Sequence, residues 1–291
     1  MEAILKTDLP DILTFKHGKV RDLYDLGYKL LIVATDRISA FDCVLPTGIP
    51  EKGKILTTLC EFWFDLTNSI IPNHLITTSV SEFPLKLRKH SDILAGRSML
   101  VKKTKVIPVE CVVRGWLTGS GWKEYKAKGY VCRINLPSGL FESSKLSEPI
   151  FTPTTKAEQG HDMSLTYVEV ENLVGNETAQ FLKSKSLELY KFASEYALKK
   201  GVIIADTKFE FGKIDDEIIL VDEIFTPDSS RFWAVSDYEP GRPQKSFDKQ
   251  FVRDYLESLI WDKTPPAPEL PPEIIKKTCE KYLEAYHMLT R

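Results

Sequence analysis

The chain has 291 residues, enough for one large domain or for two lobes with separate cores. Hydrophobic residues make up 43% and charged residues 27%, as in an ordinary globular protein, and a net charge of -2 excludes the broad basic footprint of a nucleic-acid binder. Cys43, Cys60, Cys111, Cys132 and Cys279 are odd in number and contain no CxxC pair, which excludes a disulfide framework or a structural zinc site and predicts reduced, mostly buried thiols.

The N-terminal stretch MEAILKTDLPDILTFKHGK carries acids and prolines where a signal peptide needs an apolar core. No apolar run approaches the roughly 18 residues that span a bilayer. A cytoplasmic protein is expected. Residues 18–35 (GKVRDLYDLGYKLLIVAT) read as two strands joined at Gly27-Tyr28, where glycine in the first turn position suits a type II′ hairpin. Residues 54–66 predict an amphipathic helix, with Ile55, Leu56, Leu59, Phe62, Trp63 and Leu66 at helical spacing.

Residues 98–114 read as two strands interrupted near Pro108, which lacks a donor there; the interruption is a natural crossing between lobes. Residues 115–165 are rich in Gly, Pro, Ser and Thr with little regular pattern, which predicts a functional loop region. Thr166 and Glu169 form a T-x-x-E capping box that opens a helix. The next helix is predicted at 177–200, with Leu182, Leu189, Phe192, Ala193, Tyr196 and Ala197 along one stripe and Gly201 at its end. A strand at 202–205, a hairpin through 213–217, a helix at 248–260 and a stiff proline connector at 264–272 follow. The final helix is expected to pack through Ile275, Cys279, Tyr282, Tyr286 and Leu289. No internal repeat is present.

The most informative local feature is ADTKFEFG, residues 205–212. Strand side chains alternate with period two, so Asp206, Lys208 and Glu210 share one face and Thr207, Phe209 and Phe211 the other. The aromatic face suits a core. The charged face reads either as a solvated surface with cross-strand ion pairs or as a ligand site. If the following hairpin pairs residues whose numbers sum to an even value, Asp222 lies opposite Lys208; a one-residue slip sends it to the other face. In the even register Asp206 and Asp222 are hard oxygen ligands for magnesium, with Lys208 beside a phosphate.

Other segments suit anions. In KHGKVRDLY, Gly18 allows close backbone approach, and Lys19 and Arg21 share a strand face. Arg114 precedes GWLTGSG, whose Gly115, Gly119, Gly121, Thr118 and Ser120 could form a loop of backbone donors. In TPDSSRFW a turn at Pro227-Asp228 precedes Arg231, a residue suited to gripping a carboxylate or phosphate. The segment TDRISAFD, with Asp36, Arg37, Ser39 and Asp42, reads either as groups for sugar hydroxyls or an amino group, or as a capped helix start.

Taken in order, GKVRDLY, ATDRISAFD, IPEKGKIL, IPVECVVRGWLTGSG, EPIFTPTTKAEQGHD, ADTKFEFG, VDEIFTPDSSRFW and SFDKQFVRDYL resemble the SAICAR synthetase family over most of the chain. The EPIFTPTTKAEQGHD segment and the chain length resemble the fungal form. The resemblance implies a two-lobed α+β fold related to ATP-grasp enzymes and kinases, with antiparallel sheets and flanking helices. Residues 1–104 would form an N-terminal lobe covering ATP, and residues 105–291 a larger lobe with the metal and substrate groups. The resemblance also implies an ATP-dependent ligase, working with Mg2+, that joins L-aspartate to carboxyaminoimidazole ribotide (CAIR) by way of an acyl phosphate.

By matching position, Gly18, Lys19, Arg21, Glu110, Lys208 and Glu210 would meet ATP. Asp206 and Asp222 would hold magnesium and, with Lys208, form the catalytic set. Arg114, Ser120, Asp228 and Arg231 would hold CAIR, and Lys156 and Asp162 the aspartate, with His161 a loop residue. The partners implied are small molecules only, without nucleic acid or membrane, and the chain is expected to act as a monomer. Three rivals are weaker. A protein kinase lacks its HRDxxxxN and APE segments here, although EFG at 210–212 is similar to DFG. A ligase for another small carboxylate would differ only in the Arg114, Ser120 and Arg231 pocket. A non-catalytic nucleotide-binding protein has no need of Asp206, Lys208 and Asp222 together.

Overall fold

The computed structural model describes residues 2–156, 163–247 and 249–291, and its fold is α+β as expected. Strands β1 (Leu13–His17), β2 (Arg21–Asp25) and β3 (Lys29–Ala34) form an antiparallel meander. Gly27 takes φ 83° between β2 and β3, and Tyr28 does not have a positive φ, as the predicted type II′ turn requires. A separate ribbon, β4 (Arg37–Ala40) with β5 (Cys43–Gly48), leads into helix α1 (Lys52–Thr67). The predicted stripe of α1 is buried at Ile55, Leu56, Leu59 and Trp63. Its start has no side-chain cap of its own; the Gly53 N–H donates to Asp36 Oδ1 at 2.9 Å instead. Asp36 thus caps α1, while its own segment runs into the β4–β5 ribbon and starts no helix.

Strand β6 (Leu75–Thr77), short helices α2 (Leu85–Arg88) and α3 (Ser91–Leu94), and β7 (Ser98–Lys102) complete the first sheet, in the order β1-β2-β3-β7-β6. The chain changes sheets just after β7, a few residues before the predicted interruption at Pro108, which instead separates two strands of the second sheet. Strands β8 (Lys105–Val106) and β9 (Val109–Trp116) belong to a second sheet.

Residues 115–165 are more regular than their composition suggests. They contain α4 (Gly119–Lys128), a β10 (Tyr130–Val131) and β11 (Ile134–Asn135) ribbon, β12 (Lys145–Phe151) and β13 (Thr154–Thr155). Helix α4 buries only Gly121 and Tyr125, so it has little apolar periodicity to read, and β12 and β13 are strands because they pair with β9. Of the GWLTGSG glycines, Gly115 therefore lies in β9 while Gly119 and Gly121 open α4, and they do not form a free loop.

Helix α5 (Tyr167–Val174) starts with the predicted box: Glu169 N–H donates to Thr166 Oγ1 at 3.2 Å and Thr166 N–H to Glu169 Oε2 at 2.7 Å. Helix α6 (Asn176–Lys199) buries Leu182, Leu189, Ala193 and Ala197, while Phe192 lies off that stripe and is exposed. Gly201 follows at φ 78°. Strands β14 (Val202–Ile214), β15 (Glu217–Val221) and β16 (Ser230–Ala234) come next, then α7 (Gln250–Glu257) and α8 (Pro272–Thr290). Proline at the first position of α8 costs no hydrogen bond there. The fully buried side of α8 is Thr278, Tyr282, Ala285 and Leu289; Ile275 and Cys279 are part-buried against a smaller cluster around Ile38 and Val252.

Strand β14 is the spine of the second sheet, pairing with β9, β16, β15 and β8. One core joins Phe209 and Phe211 of β14 to Trp63 of α1, Leu182 and Leu189 of α6, and Tyr282 of α8. Burial of each large apolar side chain there contributes about 1.5–3 kcal/mol. No helix of the described residues is long and apolar enough to cross a membrane.

Candidate active site

The alternation of β14 is as predicted. Thr207, Phe209 and Phe211 point into the core, each at 2% exposure or less, and Asp206, Lys208 and Glu210 take the opposite face. Strand β9 lies along one side of β14 and β16 along the other. In register, Arg114 and Arg231 are both partners of Asp206. Arg114 Nη1 donates to Asp206 Oδ2 at 2.7 Å, Nε to Thr152 Oγ1 at 3.0 Å and Nη2 to Ser120 Oγ at 3.1 Å. Arg231 Nη1 donates to the same Asp206 oxygen. Two guanidinium groups thus converge on one carboxylate. Burial and the neighbouring Arg231 pull Arg114 below the usual arginine value, while Asp206 opposes them.

Ser120 lies in the first turn of α4, so a helix N-terminus adds to the same positive field. Gly119 at φ 57° makes that approach possible, since a Cβ there would come within 2.5 Å of Arg231 Nη2. The arrangement has the charge, the forked donors and the backbone N–H groups that a phosphate or carboxylate requires.

A second charge cluster begins two residues further along β14. Lys208 Nζ donates to Glu110 Oε1 at 2.6 Å and lies 4.0 Å from Glu210 Oε1. Glu210 is also paired with Lys156, and Thr154 Oγ1 donates to Glu110 Oε2 at 3.3 Å. Burial lowers the Lys208 ammonium, but Glu110 and Glu210 outweigh it and hold the group well above the ordinary lysine value. From the first sheet, Arg21 reaches across to Asp222 and Glu223. Burial raises the Asp222 carboxyl; Arg21, Lys208 and Lys156 more than offset it and leave the group below the ordinary carboxylate value.

The even hairpin register is corrected. Glu210 pairs with Val221 and Ile214 with Glu217, an odd sum, which if continued would put Asp222 opposite Phe209 on the core side. The ladder ends at Val221, and Asp222 takes φ 66°, so the chain leaves the strand before the alternation applies. That left-handed residue sends the carboxylate to Arg21. Asp206 and Asp222 consequently share no hydrogen-bond or ion-pair partner among the described residues: one serves the arginine pair, the other the lysine and carboxylate cluster.

Lys19 and Arg21 do not share a strand face, because β2 begins at Arg21 and Lys19 lies in the turn after Gly18. Lys19 is half-exposed and pairs with Asp42. Asp228, expected beside Arg114 and Arg231, is instead buried against Lys52 Nζ at 2.7 Å, Lys249 Nζ at 3.2 Å and the Tyr282 hydroxyl at 2.7 Å. Burial raises Asp228, and Lys249 and Lys52 overcome it, so its carboxyl lies well below the ordinary value. Asp162 and His161 fall outside the described residues. Sequence reasoning did not single out Lys52, Lys249 or Glu223, although all three sit inside quoted motifs, IPEKGKIL, SFDKQFVRDYL and VDEIFTPDSSRFW.

Among the described residues no three His, Cys, Asp or Glu side chains gather as a metal cage. A magnesium ion bound against phosphate oxygens needs only one or two protein carboxylates. Asp222, held by Arg21 and in the field of Lys208 and Lys156, could supply one such carboxylate.

Comparison with known proteins gives one answer. The family model for SAICAR synthetase matches residues 14–268. The phosphoribosylaminoimidazole-succinocarboxamide synthase of Thermodesulfovibrio yellowstonii is 57% identical over 288 residues, 99% of each chain. That of Geotalea uraniireducens is 56% identical over 290 residues, 99% of this chain and 98% of the other. Among solved structures, the SAICAR synthase of Saccharomyces cerevisiae complexed with SAICAR superposes with a TM-score of 0.90 at 44% identity, over 99% of this chain and 98% of the other. A type-2 SAICAR synthetase in complex with ADP superposes with a TM-score of 0.70 at 26% identity, over 94% and 97%. The likeness to the yeast enzyme holds, and identity to these bacterial relatives is higher still.

Proposed function

The chain belongs to the SAICAR synthetase family, and from that premise we infer that it is an ATP-dependent ligase forming the amide between L-aspartate and CAIR. The products are SAICAR, ADP and phosphate, a step of de novo purine synthesis. The observation that carries this reading is the face of β14. One strand presents Asp206 between Arg114 and Arg231 and, two residues on, Lys208 among Glu110, Glu210 and the Asp222 field. A ribotide phosphate matches the first cluster in charge and fork geometry, and a nucleotide triphosphate matches the second. A carboxylate held between them lies within reach of both.

A carboxylate is a poor electrophile until its oxygen is phosphorylated, and phosphoryl transfer demands positioning and charge neutralisation more than a protein nucleophile. Arg114, Arg231 and Ser120 orient CAIR. Asp206, already the shared acceptor of the two arginines, accepts from a ribotide amino group, and Asp228 supports the turn that carries Arg231. Gly18, Lys19, Arg21 and Lys208 meet the ATP phosphates, and Glu110 the ribose or adenine side. Asp222, with Glu210, would hold Mg2+, which would supply charge neutralisation at the phosphate oxygens. Lys156 takes a carboxylate of aspartate. The amine then attacks the acyl phosphate, the C–O bond breaks, and phosphate leaves with the former carboxylate oxygen.

The change of sheets between β7 and β8 supports residues 1–104 as the lobe over ATP and 105–291 as the lobe beneath. The five free cysteines suit the reducing cytoplasm. The test is isotopic. CAIR labelled with 18O in its carboxylate should deliver one label into inorganic phosphate per SAICAR formed; unlabelled phosphate would rule out the acyl phosphate.

A further inference from the structure

We propose that Arg37 is the positioning residue of the nucleotide phosphate loop, the turn at residues 18–20. The proposal rests on the reading that this loop meets ATP. All three guanidinium nitrogens of Arg37 are spent on the N-terminal segment and this turn. Nη2 donates to the Gly18 carbonyl at 2.9 Å, Nε to the Lys19 carbonyl at 3.2 Å and Nη1 to the Leu5 carbonyl at 2.5 Å. Nη2 also meets Asp22 Oδ1 at 2.9 Å, and Asp22 is fully buried.

The consequence follows from peptide planarity. In a trans peptide the C=O of one residue and the N–H of the next point in opposite directions. With the Gly18 and Lys19 carbonyls drawn to Arg37, the N–H groups of Lys19 and Val20 are turned away from it. Two successive N–H groups turned outward beside a lysine make a concave donor site for an anion. A single glycine cannot impose that orientation, because it permits more backbone conformations than any other residue. Arg37 supplies the missing constraint without touching the ligand.

The support beneath Arg37 is itself fixed. Asp22 accepts from the Thr7 N–H at 2.9 Å, the Thr7 hydroxyl at 2.8 Å and His17 Nδ1 at 2.8 Å. Thr35, two residues before Arg37, donates from N–H and hydroxyl to the Val20 carbonyl at 3.1 and 2.8 Å. The turn is therefore held from below along its length. A lysine in place of Arg37 could reach one of these carbonyls but not several at once, because its ammonium is a point donor and not a fork.

The test measures the ADP dissociation constant by calorimetry and the KM for ATP, CAIR and aspartate in the full-length enzyme. Arg37→Met, Arg37→Lys and Lys19→Met are compared with the unmodified chain. Arg37→Met should weaken ADP binding and raise the ATP KM by about ten-fold, the scale of one or two lost hydrogen bonds, while the CAIR and aspartate KM stay within about two-fold. Arg37→Lys should recover part of the loss, and it remains informative if Arg37→Met does not fold. An ADP affinity unchanged in both Arg37 variants, with Lys19→Met weakened, overturns the positioning role alone. So does an equal rise in all three KM values, which is the signature of general loosening. Unchanged ADP affinity in Lys19→Met overturns the reading of the loop, and the positioning role with it.

Discussion

Arg114 and Arg231 reach the same oxygen of Asp206 from opposite sides of β14, each as its cross-strand partner. Strand register alone therefore builds an anion site: the two guanidinium groups converge because β9 and β16 flank one residue. The side chain of Arg231 is 22% exposed and that of Arg114 9%, so Arg231 is the more accessible arm. Arg231→Ala should raise the CAIR KM by roughly ten- to a hundred-fold, the scale of a lost charge-assisted pair, with the ATP KM nearly unchanged. Initial rates with each substrate varied in turn decide it. An effect confined to ATP would remove Arg231 from the ribotide site.

Asp222 carries the second cluster. Asp222→Asn keeps the shape and removes the charge, and Glu223 remains to pair with Arg21. The kcat should fall by about a hundred- to a thousand-fold or more, as for loss of a preorganised electrostatic group, with the melting temperature little changed. Near-normal turnover at saturating magnesium would contradict the role.

Lys52 is a structural counterpart to these. Its side chain is fully buried, its partner Asp228 is 2% exposed, and the pair ties the start of α1 to the turn before β16. Among the described residues, Lys52→Met leaves the Asp228 carboxylate with Lys249 and the Tyr282 hydroxyl. Breaking one arm of a buried ion pair should cost about 3 kcal/mol. Urea unfolding of the variant measures this; a loss under about 1 kcal/mol would mean that Lys249 alone satisfies Asp228.

His74 gives the stability a pH dependence. It is 3% exposed, its Nε2 has no partner among the described residues, and burial pushes its pKa down to about 4 from 6.5. Between those values the unfolded chain binds more protons than the folded one, so stability rises with pH there. The contribution is complete above about pH 6.5 and is lost as pH falls toward about 4, up to roughly 3 kcal/mol. Urea midpoints across that range should show the slope, and His74→Gln should flatten it. An identical slope in the variant would assign the effect to other groups.

Where side-chain alternation or capping chemistry governs, the sequence was readable. The two faces of β14, the Thr166–Glu169 box and the Gly27 turn are all set by neighbours within a few residues. What escaped depends on tertiary pairing. The odd register of β14 with β15 cannot be read from two apolar strands that tolerate either phase, and the left-handed backbone at Asp222 then cancels the parity argument altogether. Lys52 and Lys249 look like surface residues just before one predicted helix and at the start of another; Asp228, which also accepts from Tyr282 of α8, brings them together. Arg114 and Ser120 were recognised together, but their glycine-rich surroundings concealed a helix whose buried face is too small to leave a pattern.

The most direct measurement is a product assay with purified chain, CAIR, ATP, magnesium and aspartate, omitting each component in turn. SAICAR should form only in the complete mixture, with one ADP and one phosphate released for each amide bond. Amide formation without ATP, or ATP cleavage that proceeds at full rate without CAIR, would contradict the assignment of the two charge clusters on β14 to a single coupled reaction.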